Sequence, residues 1–136
     1  MSYSCFLLNT INEFNPTKVY NNFKNDRYKI IKENKNKKGI YLLVNLINGN
    51  FYIGSSINLS NRMQNYLNIK YLNTNSNKNM PIIKSLLKYG HDNFALLILE
   101  YIDSEDISER ETYWITKSSP YYNVLKKAYS SVPLSR

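Results

Sequence analysis

Two tyrosines are placed so that their phenols could take part in proton transfer on one side of a β-ribbon. The segments Gly39-Ile40-Tyr41 and Tyr52-Ile53-Gly54 flank an Asn48-Gly49 dipeptide. Asn-Gly between two strands is typical of a two-residue hairpin turn, because both turn positions favour positive φ. A soluble strand does not need two phenols on one face for its stability, whereas a functional site does. The tyrosines are therefore the first candidates for a site.

The predicted strands of this hairpin run over residues 40–47 and 50–55. A two-residue loop would pair Tyr52 with Asn45, which places Tyr41 and Tyr52 on the same face because side chains alternate along a strand. The two tyrosines would then lie about four residues apart along the ribbon, roughly 13 Å between Cα atoms. We therefore expect two distinct roles for them rather than one shared proton.

Glu111 is the second unusual placement. It lies on the apolar stripe of a helix predicted from Ser104 to about Lys117. A carboxylate on a buried face must be neutralised, hydrogen-bonded or bound to a metal ion. Two alternatives follow: an ion pair with Arg62 or Arg110 that holds the fold together, or a site for one divalent cation. Magnesium suits one carboxylate because it retains most of its water ligands, and the sequence has no Cys or His cluster that would suggest zinc.

Arg62 belongs to the first helix after the hairpin. Asn58 is a plausible N-cap, and Leu59, Met63 and Tyr66 recur at the spacing of an amphipathic helix of about ten residues. Arg62 lies three residues after Leu59 and four before Tyr66. The arginine is therefore expected to point toward the domain rather than into bulk water.

The remaining elements are predicted from hydrophobic periodicity and from turn and capping residues. An Asn-rich loop covers residues 68–79, and a helix is predicted from Met80 to Tyr89 with Gly90 as its C′ residue. The continuous apolar run from Phe94 to Ile102 predicts a buried central strand.

Residues 1–37 are expected to form an N-terminal extension and linker, ahead of a domain over 38–127 and a tail over 128–136. Asn15-Pro16-Thr17 could start a helix that runs to about Lys32, and residues 33–38 are polar and charged. Two interpretations stay open for this segment: an extension with no function of its own, or a basic arm that lies along nucleic acid.

The charge distribution favours a polyanionic partner. The formal net charge is +8 and the pI is near 9.5. Residues 39–90 contain five basic and no acidic side chains, whereas residues 91–117 contain seven acidic and two basic ones. The basic surface therefore belongs to the part of the chain that carries the two tyrosines and Arg62.

Cysteine content and compositional bias suggest the compartment. Cys5 is the only cysteine of the chain, so an intramolecular disulfide is impossible and a reducing compartment is expected. The apolar run Cys5–Leu8 is too short to span a membrane or to act as a signal sequence. Heavy use of Asn, Lys, Ile and Tyr is typical of an AT-rich gene such as an organellar one.

The motifs together resemble a known family. In order, the chain contains Gly39-Ile40-Tyr41, Tyr52-Ile53-Gly54, Arg62, Lys88-Tyr89-Gly90, Glu111 within residues 109–115, and Tyr122-Asn123. This order and spacing resembles the GIY-YIG nuclease family, in particular the intron-encoded homing endonucleases of fungal mitochondria. The resemblance covers about residues 38–127.

The resemblance assigns a role to each matching residue. It makes Tyr41 the general base or relay for the attacking water and Tyr52 the residue that positions the water or the phosphate. Arg62 would clamp the phosphate, and Glu111 would bind Mg²⁺, with Mn²⁺ as an alternative. Asn123 would support the site by hydrogen bonding. Many family members have a histidine in the loop before the second helix, but residues 73–79 here contain none, so Asn75, Asn77 or Tyr71 would have to substitute.

The resemblance also implies the fold and the function. The expected fold is α/β, with a small, mainly antiparallel three-stranded sheet flanked by helices. The expected function is Mg²⁺-dependent cleavage of double-stranded DNA by a mitochondrial, homing-type endonuclease, with no membrane association and a monomer favoured. The alternatives are a structure-specific DNA repair nuclease and a non-catalytic basic nucleic-acid-binding protein.

Overall fold

One four-stranded antiparallel sheet organises the molecule. The computed structural model describes residues 5–103, 106–118 and 122–123. The strands are β1 (Lys18–Tyr20), β2 (Gly39–Asn45), β3 (Phe51–Ser56) and β4 (Phe94–Tyr101). The helices are α1 (Cys5–Phe14), α2 (Arg27–Glu33), α3 (Leu59–Leu67), α4 (Ile69–Leu72), α5 (Pro81–Tyr89) and α6 (Ile107–Ser118), with a 3₁₀ turn over His91–Asn93. The strand order is β1-β4-β2-β3, and all neighbours are antiparallel.

The central position of β2 and β4 explains their composition. All seven residues of β2 and the first six of β4 are buried, because each of these strands has a neighbour on both sides and helices on both faces. The expected buried central strand is therefore confirmed as β4. The edge strand β3 is partly exposed, which leaves its outer side accessible to other groups.

Two apolar clusters pack against opposite faces of the sheet. On one face Tyr41 and Leu43 pack with residues of α2, α3 and α5. On the other face Ile40 and Leu42 pack with α1 and with Trp114 of α6. Side chains of β2 alternate between these clusters, as the period of two requires. Tyr41 thus belongs to the face that is covered by the helix bearing Arg62.

The N-terminal segment departs from the sequence-based expectation. The helix expected from Asn15 to Lys32 is wrong: this stretch contains β1, which pairs with β4, and α2. The sheet therefore has four strands rather than the expected three. β1 is only three residues long, too short to leave a periodic signal. Residues 5–37 pack on the sheet with Phe23 and Ile30 fully buried, while the predicted domain boundary at residue 38 stays a prediction.

The expected helices around the hairpin are confirmed. Asn58 caps α3 by accepting a hydrogen bond from the Asn61 backbone N–H at 3.2 Å. Gly90 ends α5 with a φ of +86°, the left-handed backbone region in which glycine is favoured. The start of α6 expected at Ser104 lies outside the described residues, as does the tail expected over 128–136. Within the described part of the chain, no helix is long and apolar enough to span a membrane.

Candidate active site

The hairpin places its two tyrosines closer together than the turn signal predicts. Tyr41 pairs with Gly54, and Tyr52 pairs with Leu43 rather than with the expected Asn45. Both tyrosines project from one face, as expected, and their ring centroids are 6.1 Å apart. The expected separation of four residues along the ribbon is therefore wrong, and the observed offset is two. A register shift of two residues preserves the face on which each side chain lies.

A longer turn causes this shift. The Asn45 N–H donates to the Asn50 carbonyl at 2.8 Å, so the loop comprises residues 46–49 rather than 48–49. The Gly49 N–H donates back to the Asn45 carbonyl at 2.8 Å, and Gly49 has a φ of +80°. The Asn45 side-chain oxygen accepts from the Ile47 N–H at 2.8 Å. This local side-chain bond favours the longer turn over a two-residue hairpin.

Gly54 allows the Tyr41 ring to lie flat across the edge strand. A Cβ at this position would lie 2.5 Å from the Tyr41 hydroxyl oxygen and 2.8 Å from a carbon of the Tyr52 ring. The close approach of both rings therefore requires glycine. The opposite edge of β2 has a β-bulge, since Ile40 pairs with Glu100 but Tyr41 pairs with Ile98. Bulges of this kind alter the direction of a side chain beside a site.

Helix α3 supplies Arg62 and a third phenol, Tyr66. Residues four apart lie on the same side of a helix, and here that side faces the tyrosines of the hairpin. The Tyr66 and Tyr41 hydroxyl oxygens are 2.7 Å apart, and Tyr52 lies close enough to Tyr66 to affect its pKa. Arg62 lies beside Tyr41 and Tyr66 and interacts electrostatically with both. The expectation that Arg62 points into the domain is confirmed.

Burial dominates the acid–base properties of the three phenols. Tyr41 is fully buried and Tyr66 is nearly so, and desolvation raises the pKa of Tyr41, Tyr52 and Tyr66 above the ordinary value for tyrosine. For Tyr66, interactions with Tyr41, Tyr52 and Arg62 act in the opposite direction and partly offset this increase in its pKa. Of the three, Tyr66 is thus the phenol whose ionised form has the most neighbours that stabilise it.

Glu111 approaches from the other face of the sheet. Helix α6 packs against β3, and the Ser55 hydroxyl donates a hydrogen bond to the Glu111 carboxylate. Burial raises the pKa of Glu111, against the opposing effects of this hydrogen bond and of the Arg62 charge. Glu111 also influences Tyr52 electrostatically. The tyrosines and the glutamate, which belong to opposite faces, therefore meet beside the exposed edge strand.

Neither ion pair considered for Glu111 forms among the described residues. The ion pairs there involve Lys18 with Glu33, Lys24 with Asp92 and Arg110 with Glu100. The Glu100 carboxylate accepts a 2.7 Å bond from Arg110 and a 2.9 Å bond from the Trp114 indole. Within this part of the chain, Glu111 therefore combines partial burial with a neutral hydrogen-bond donor and has no ion-pair partner. A carboxylate in that state fits a divalent cation.

The donor set limits the kind of metal that fits. Within the described ranges, no three His, Cys, Asp or Glu side chains cluster closely enough to hold an ion. A cation at Glu111 would therefore have one protein carboxylate and otherwise water or phosphate oxygens, a shell that Mg²⁺ accepts.

Asn123 binds the edge of the sheet through both ends of its amide. Its side-chain oxygen accepts from the Ile53 N–H at 2.9 Å, and its nitrogen donates to the Ile53 carbonyl at 2.8 Å. The neighbouring Tyr122 N–H donates to the Phe51 carbonyl at 3.0 Å. These bonds follow the hydrogen-bond pattern of a further neighbouring strand, and they hold the backbone of β3 in place between Tyr52 and Gly54. The geometry fits the supporting role that the resemblance implies for Asn123.

Two residues of the site were not identified from the sequence. Tyr66 fits the apolar stripe of α3, so periodicity assigns it to the core; its spacing of four from Arg62 was the available signal. Ser55 directly follows the second tripeptide motif, and no spacing or pattern in the sequence distinguishes it.

The loop candidates for the missing histidine form a local network instead. The Asn77 amide donates to the Tyr71 carbonyl at 3.1 Å and to the Thr74 hydroxyl at 2.8 Å, and Asn75 has no described bond to the phenols. The single histidine of the chain, His91, lies 2.7 Å from the Tyr66 carbonyl oxygen and packs beside Phe23. His91 therefore supports the backbone of α3, and the hydroxyl nearest to Tyr41 belongs to Tyr66.

Known proteins resemble this chain in sequence and in fold. A family model described as the GIY-YIG catalytic domain matches residues 37–123. A protein of Neurospora crassa named "Probable intron-encoded endonuclease 1" is 32% identical over 90 residues, which covers 61% of this chain and 28% of that protein. The chain therefore corresponds to less than a third of the length of this curated relative.

Two solved structures of one catalytic domain are also similar. A mutant form of the catalytic domain of the intron endonuclease I-TevI matches with a TM-score of 0.56 and 28% identity, covering 69% of this chain and 99% of that domain. The catalytic domain of the homing endonuclease I-TevI matches with a TM-score of 0.53 and 30% identity, covering 65% and 99%. Both alignments span nearly the whole of those domains.

Proposed function

Because the chain belongs to the GIY-YIG family of nuclease catalytic domains, we propose that it is a Mg²⁺-dependent endonuclease that hydrolyses phosphodiester bonds of double-stranded DNA. The observation that carries the proposal is the cluster of Tyr41, Tyr66 and Arg62 beside the partly buried carboxylate of Glu111. The basic character of residues 39–90 supports a polyanionic substrate. The names of the relatives, which are intron and homing endonucleases, support a homing role.

Arg62 binds the scissile phosphate in this proposal. Its guanidinium has five N–H donors and lies beside the Tyr41 and Tyr66 phenols. The planar fork matches two phosphate oxygens and opposes the charge that accumulates as water attacks phosphorus. This contribution is the largest that we assign to a single side chain.

The phenols transfer the proton of the attacking water. Tyr41 accepts this proton on its hydroxyl oxygen while its own proton passes across the 2.7 Å contact to the Tyr66 phenolate. Hydroxide forms, its oxygen bonds to phosphorus, and the bond from phosphorus to the 3′ oxygen breaks. The departing 3′ oxygen takes a proton from solvent water, and Tyr66 returns its proton to solvent before the next turnover. Tyr66 suits the terminal position because interactions with Tyr41, Tyr52 and Arg62 all favour its ionised form. Tyr52 orients the water or the phosphate from the accessible side.

Glu111 holds the metal ion. When bound there, Mg²⁺ supplies a positive charge that stabilises the departing 3′ oxygen. The Ser55 hydroxyl fixes the carboxylate orientation, and Asn123 fixes β3 beneath Tyr52. The reaction needs neither Ser55 nor Asn123 to exchange a proton, so both act by positioning.

We further propose a mitochondrial location and a monomeric state. The fungal intron-encoded relative and the Asn-, Lys- and Tyr-rich composition support a mitochondrial gene. One complete set of the proposed catalytic residues within a single chain supports catalysis by a monomer, one strand at a time.

Nicking of supercoiled plasmid tests the proposal. The wild-type chain should convert supercoiled to nicked plasmid with Mg²⁺ and not with EDTA, and Arg62→Ala and Glu111→Ala should each reduce the rate at least about 10²-fold. DNA binding without Mg²⁺-dependent nicking would support a non-catalytic binding protein instead. Preferred cleavage of flaps or four-way junctions over plain duplex would support a structure-specific repair nuclease.

A further inference from the structure

A groove lies between α2 and α3, the helix that carries Arg62. It has a volume of about 470 Å³ and is open to solvent on one side. The α2 side contributes the exposed lysines Lys32 and Lys35, and the α3 side contributes amide groups of Asn61 and Gln64. Cations and amide donors facing each other across a groove form a surface that suits phosphate oxygens.

The α2 side of this groove lies outside the region that the family comparison covers. The family model begins at residue 37, whereas α2 spans Arg27–Glu33. One wall of the groove is therefore formed by residues that the family model does not match. Its composition is strongly basic: residues 27–38 contain six Lys or Arg side chains and one acidic residue, Glu33.

That single acid is directed away from the groove. Glu33 accepts a 2.8 Å hydrogen bond from the Tyr20 hydroxyl and pairs with Lys18 at 3.2 Å. Among the described residues, none that lines the groove carries a carboxylate. The positive potential of Lys32 and Lys35 therefore has no compensating charge within the groove.

Helix α2 is held firmly against α3. Ile30 is fully buried in the cluster that contains Leu59 and Met63 of α3. The fully buried Asn34 donates to the Tyr20 hydroxyl and to the Ile30 carbonyl, and accepts from the Tyr101 hydroxyl at 2.6 Å. The groove is thus preformed, and ligand binding needs no ordering of its walls.

The groove and the candidate active site share α3. Arg62 faces the phenols, whereas its neighbour Asn61 faces the groove. A helix with its side chains is about 10–12 Å across, and phosphates of one strand recur about every 3.4 Å along a duplex. A strand with its scissile phosphate at Arg62 would therefore reach the groove within a few nucleotides.

We propose that the α2–α3 groove binds the phosphate backbone of duplex DNA a few nucleotides from the scissile phosphate. This inference rests on the proposed nuclease function, because it takes the scissile phosphate to lie at Arg62. DNA binding and DNA cleavage can nevertheless be measured separately. The N-terminal segment thereby acts as a fixed half of the DNA-binding surface rather than as a loose basic arm.

Salt dependence of DNA binding tests the groove directly. Deletion of the segment would remove β1, so exposed point substitutions are the appropriate variants. The double variant Lys32→Gln/Lys35→Gln should reduce the slope of log K against log salt by about 1 to 2, since each phosphate contact contributes about 0.9. The control Lys24→Gln/Lys117→Gln removes the same charge from exposed positions outside the groove and should leave the slope and nicking unchanged.

An isosteric pair provides a second comparison. Asn61→Asp adds a negative charge to the groove, whereas Asn25→Asp adds the same charge at an exposed position outside it. A carboxylate in the first turn of α3 does not oppose folding, so unaltered thermal stability is expected for both variants. Asn61→Asp should weaken binding of a short DNA duplex at least about fivefold more than Asn25→Asp.

The outcomes separate this proposal from the proposed function. Equal salt slopes in the groove and control variants would overturn the groove, even when the wild type nicks DNA. A reduced slope only in the groove variant, measured in EDTA, would support it even when the wild type fails to nick. Tighter, groove-dependent binding of an RNA duplex of the same sequence would overturn the assignment to DNA.

Discussion

Hydrogen bonding makes a buried tyrosine cluster tolerable in this fold. Tyr41 and Tyr66 lose contact with water, yet within the described residues no buried side-chain polar atom is without a partner. A buried network in which all members are bonded is rigid, because any movement leaves a group unpaired in a low-dielectric interior. The proposed catalytic groups are therefore oriented before DNA arrives, which reduces the reorganisation that the reaction requires.

Substitution of Arg62 tests the role of the guanidinium fork. Arg62→Lys retains the charge but not the planar set of donors, and we expect both Arg62→Ala and Arg62→Lys to reduce the single-turnover nicking rate about 10²- to 10³-fold at saturating DNA. Gel-shift affinity should change much less than the rate. A variant that binds weakly but cleaves at the wild-type rate once saturated would assign Arg62 to DNA binding alone.

Tyr66→Phe tests the proton path and its pH dependence. Burial raises the pKa of Tyr66, so the phenolate fraction, and with it the nicking rate, should increase with pH by about tenfold per unit below that pKa. Phenylalanine preserves the ring but removes the acceptor, so the rate should fall about 10²-fold and lose this slope. Tyr71→Phe, a substitution in the neighbouring helix α4, is the control. An unaltered pH profile in Tyr66→Phe would remove Tyr66 from the proton path.

Glu111→Gln tests whether the ionised carboxylate of Glu111 lowers the stability of the fold. Burial raises the folded-state pKa of Glu111 above its ordinary value, so ionisation of Glu111 destabilises the fold as pH rises through the folded pKa. Without metal, Glu111→Gln should therefore have a higher Tm than the wild type at pH 7, and the difference should vanish below about pH 4, where the ordinary carboxyl is protonated.

The same variant separates metal binding from structure. Millimolar Mg²⁺ should raise the Tm of the wild type, because a ligand that binds only the folded state stabilises it, and should not affect Glu111→Gln. Nicking should be lost in the variant. An equal Mg²⁺-induced shift in both proteins would locate the ion elsewhere.

At the scale of elements, the hairpin shows what sequence patterns can and cannot resolve. Alternation predicts that Tyr41 and Tyr52 share a face, and this is confirmed because a shift of two residues leaves the face unchanged. The pairing register itself depends on the Asn45 side-chain bond to the Ile47 N–H. A bond of that kind is invisible to the Asn-Gly signal, so the predicted distance between the tyrosines was wrong.

Periodicity fails in a similar way for residues with two functions. Tyr66 belongs both to the apolar stripe of α3 and to the hydrogen-bonded cluster, and a spacing pattern reports only the first. The strand β1 is missed for another reason, since its three residues are strand only through pairing with β4. Longer elements with caps, such as α3 and α5, are predicted well because their signals are local.

Gly54→Ala tests the contact between β3 and the Tyr41 ring. The new Cβ would lie 2.5 Å from the Tyr41 hydroxyl oxygen, so the ring must move, at a cost of about 1–3 kcal/mol for overpacking. The bond between Tyr41 and Tyr66 should break, and nicking should fall at least about 10²-fold.

Gly90→Ala is the matched control for that substitution. Gly90 has a φ of +86°, and a Cβ added there would have no atom within 4 Å, so alanine costs about 1–2 kcal/mol of backbone strain without touching the site. Chemical denaturation and nicking assays should show loss of stability in both variants but loss of activity only in Gly54→Ala. Equal nicking rates in the two would mean that the Tyr41 position is not critical.

At the scale of the whole molecule, the N-terminal segment and the matched domain share both apolar clusters. Leu7 and Phe14 pack with β2 and α6 on one face, while Phe23 and Ile30 pack with α3 on the other. The backbone of Thr17 also donates to Ile98 at 2.8 Å. The segment thus covers one edge of β4, which would otherwise offer unpaired backbone groups to another chain.

A fragment that begins at residue 37, where the family model begins, tests this dependence. It lacks Phe23 and Ile30, both fully buried, and the loss of each such side chain costs about 2–5 kcal/mol against a typical domain stability of about 5–15 kcal/mol. We expect the fragment to aggregate or to lose its cooperative thermal transition, as measured by circular dichroism and size-exclusion chromatography.

The control for truncation is a fragment that begins at residue 5, which retains α1, β1 and α2 and should unfold as the full chain does. Phe23→Ala in the full chain provides a milder form of the test: it should lower stability by about 3–5 kcal/mol while every catalytic candidate remains present. A fragment from residue 37 that unfolds cooperatively and nicks DNA at the wild-type rate would instead establish the domain boundary predicted at residue 38. That result would also show that the packing of α2 is not required for the stability of the domain.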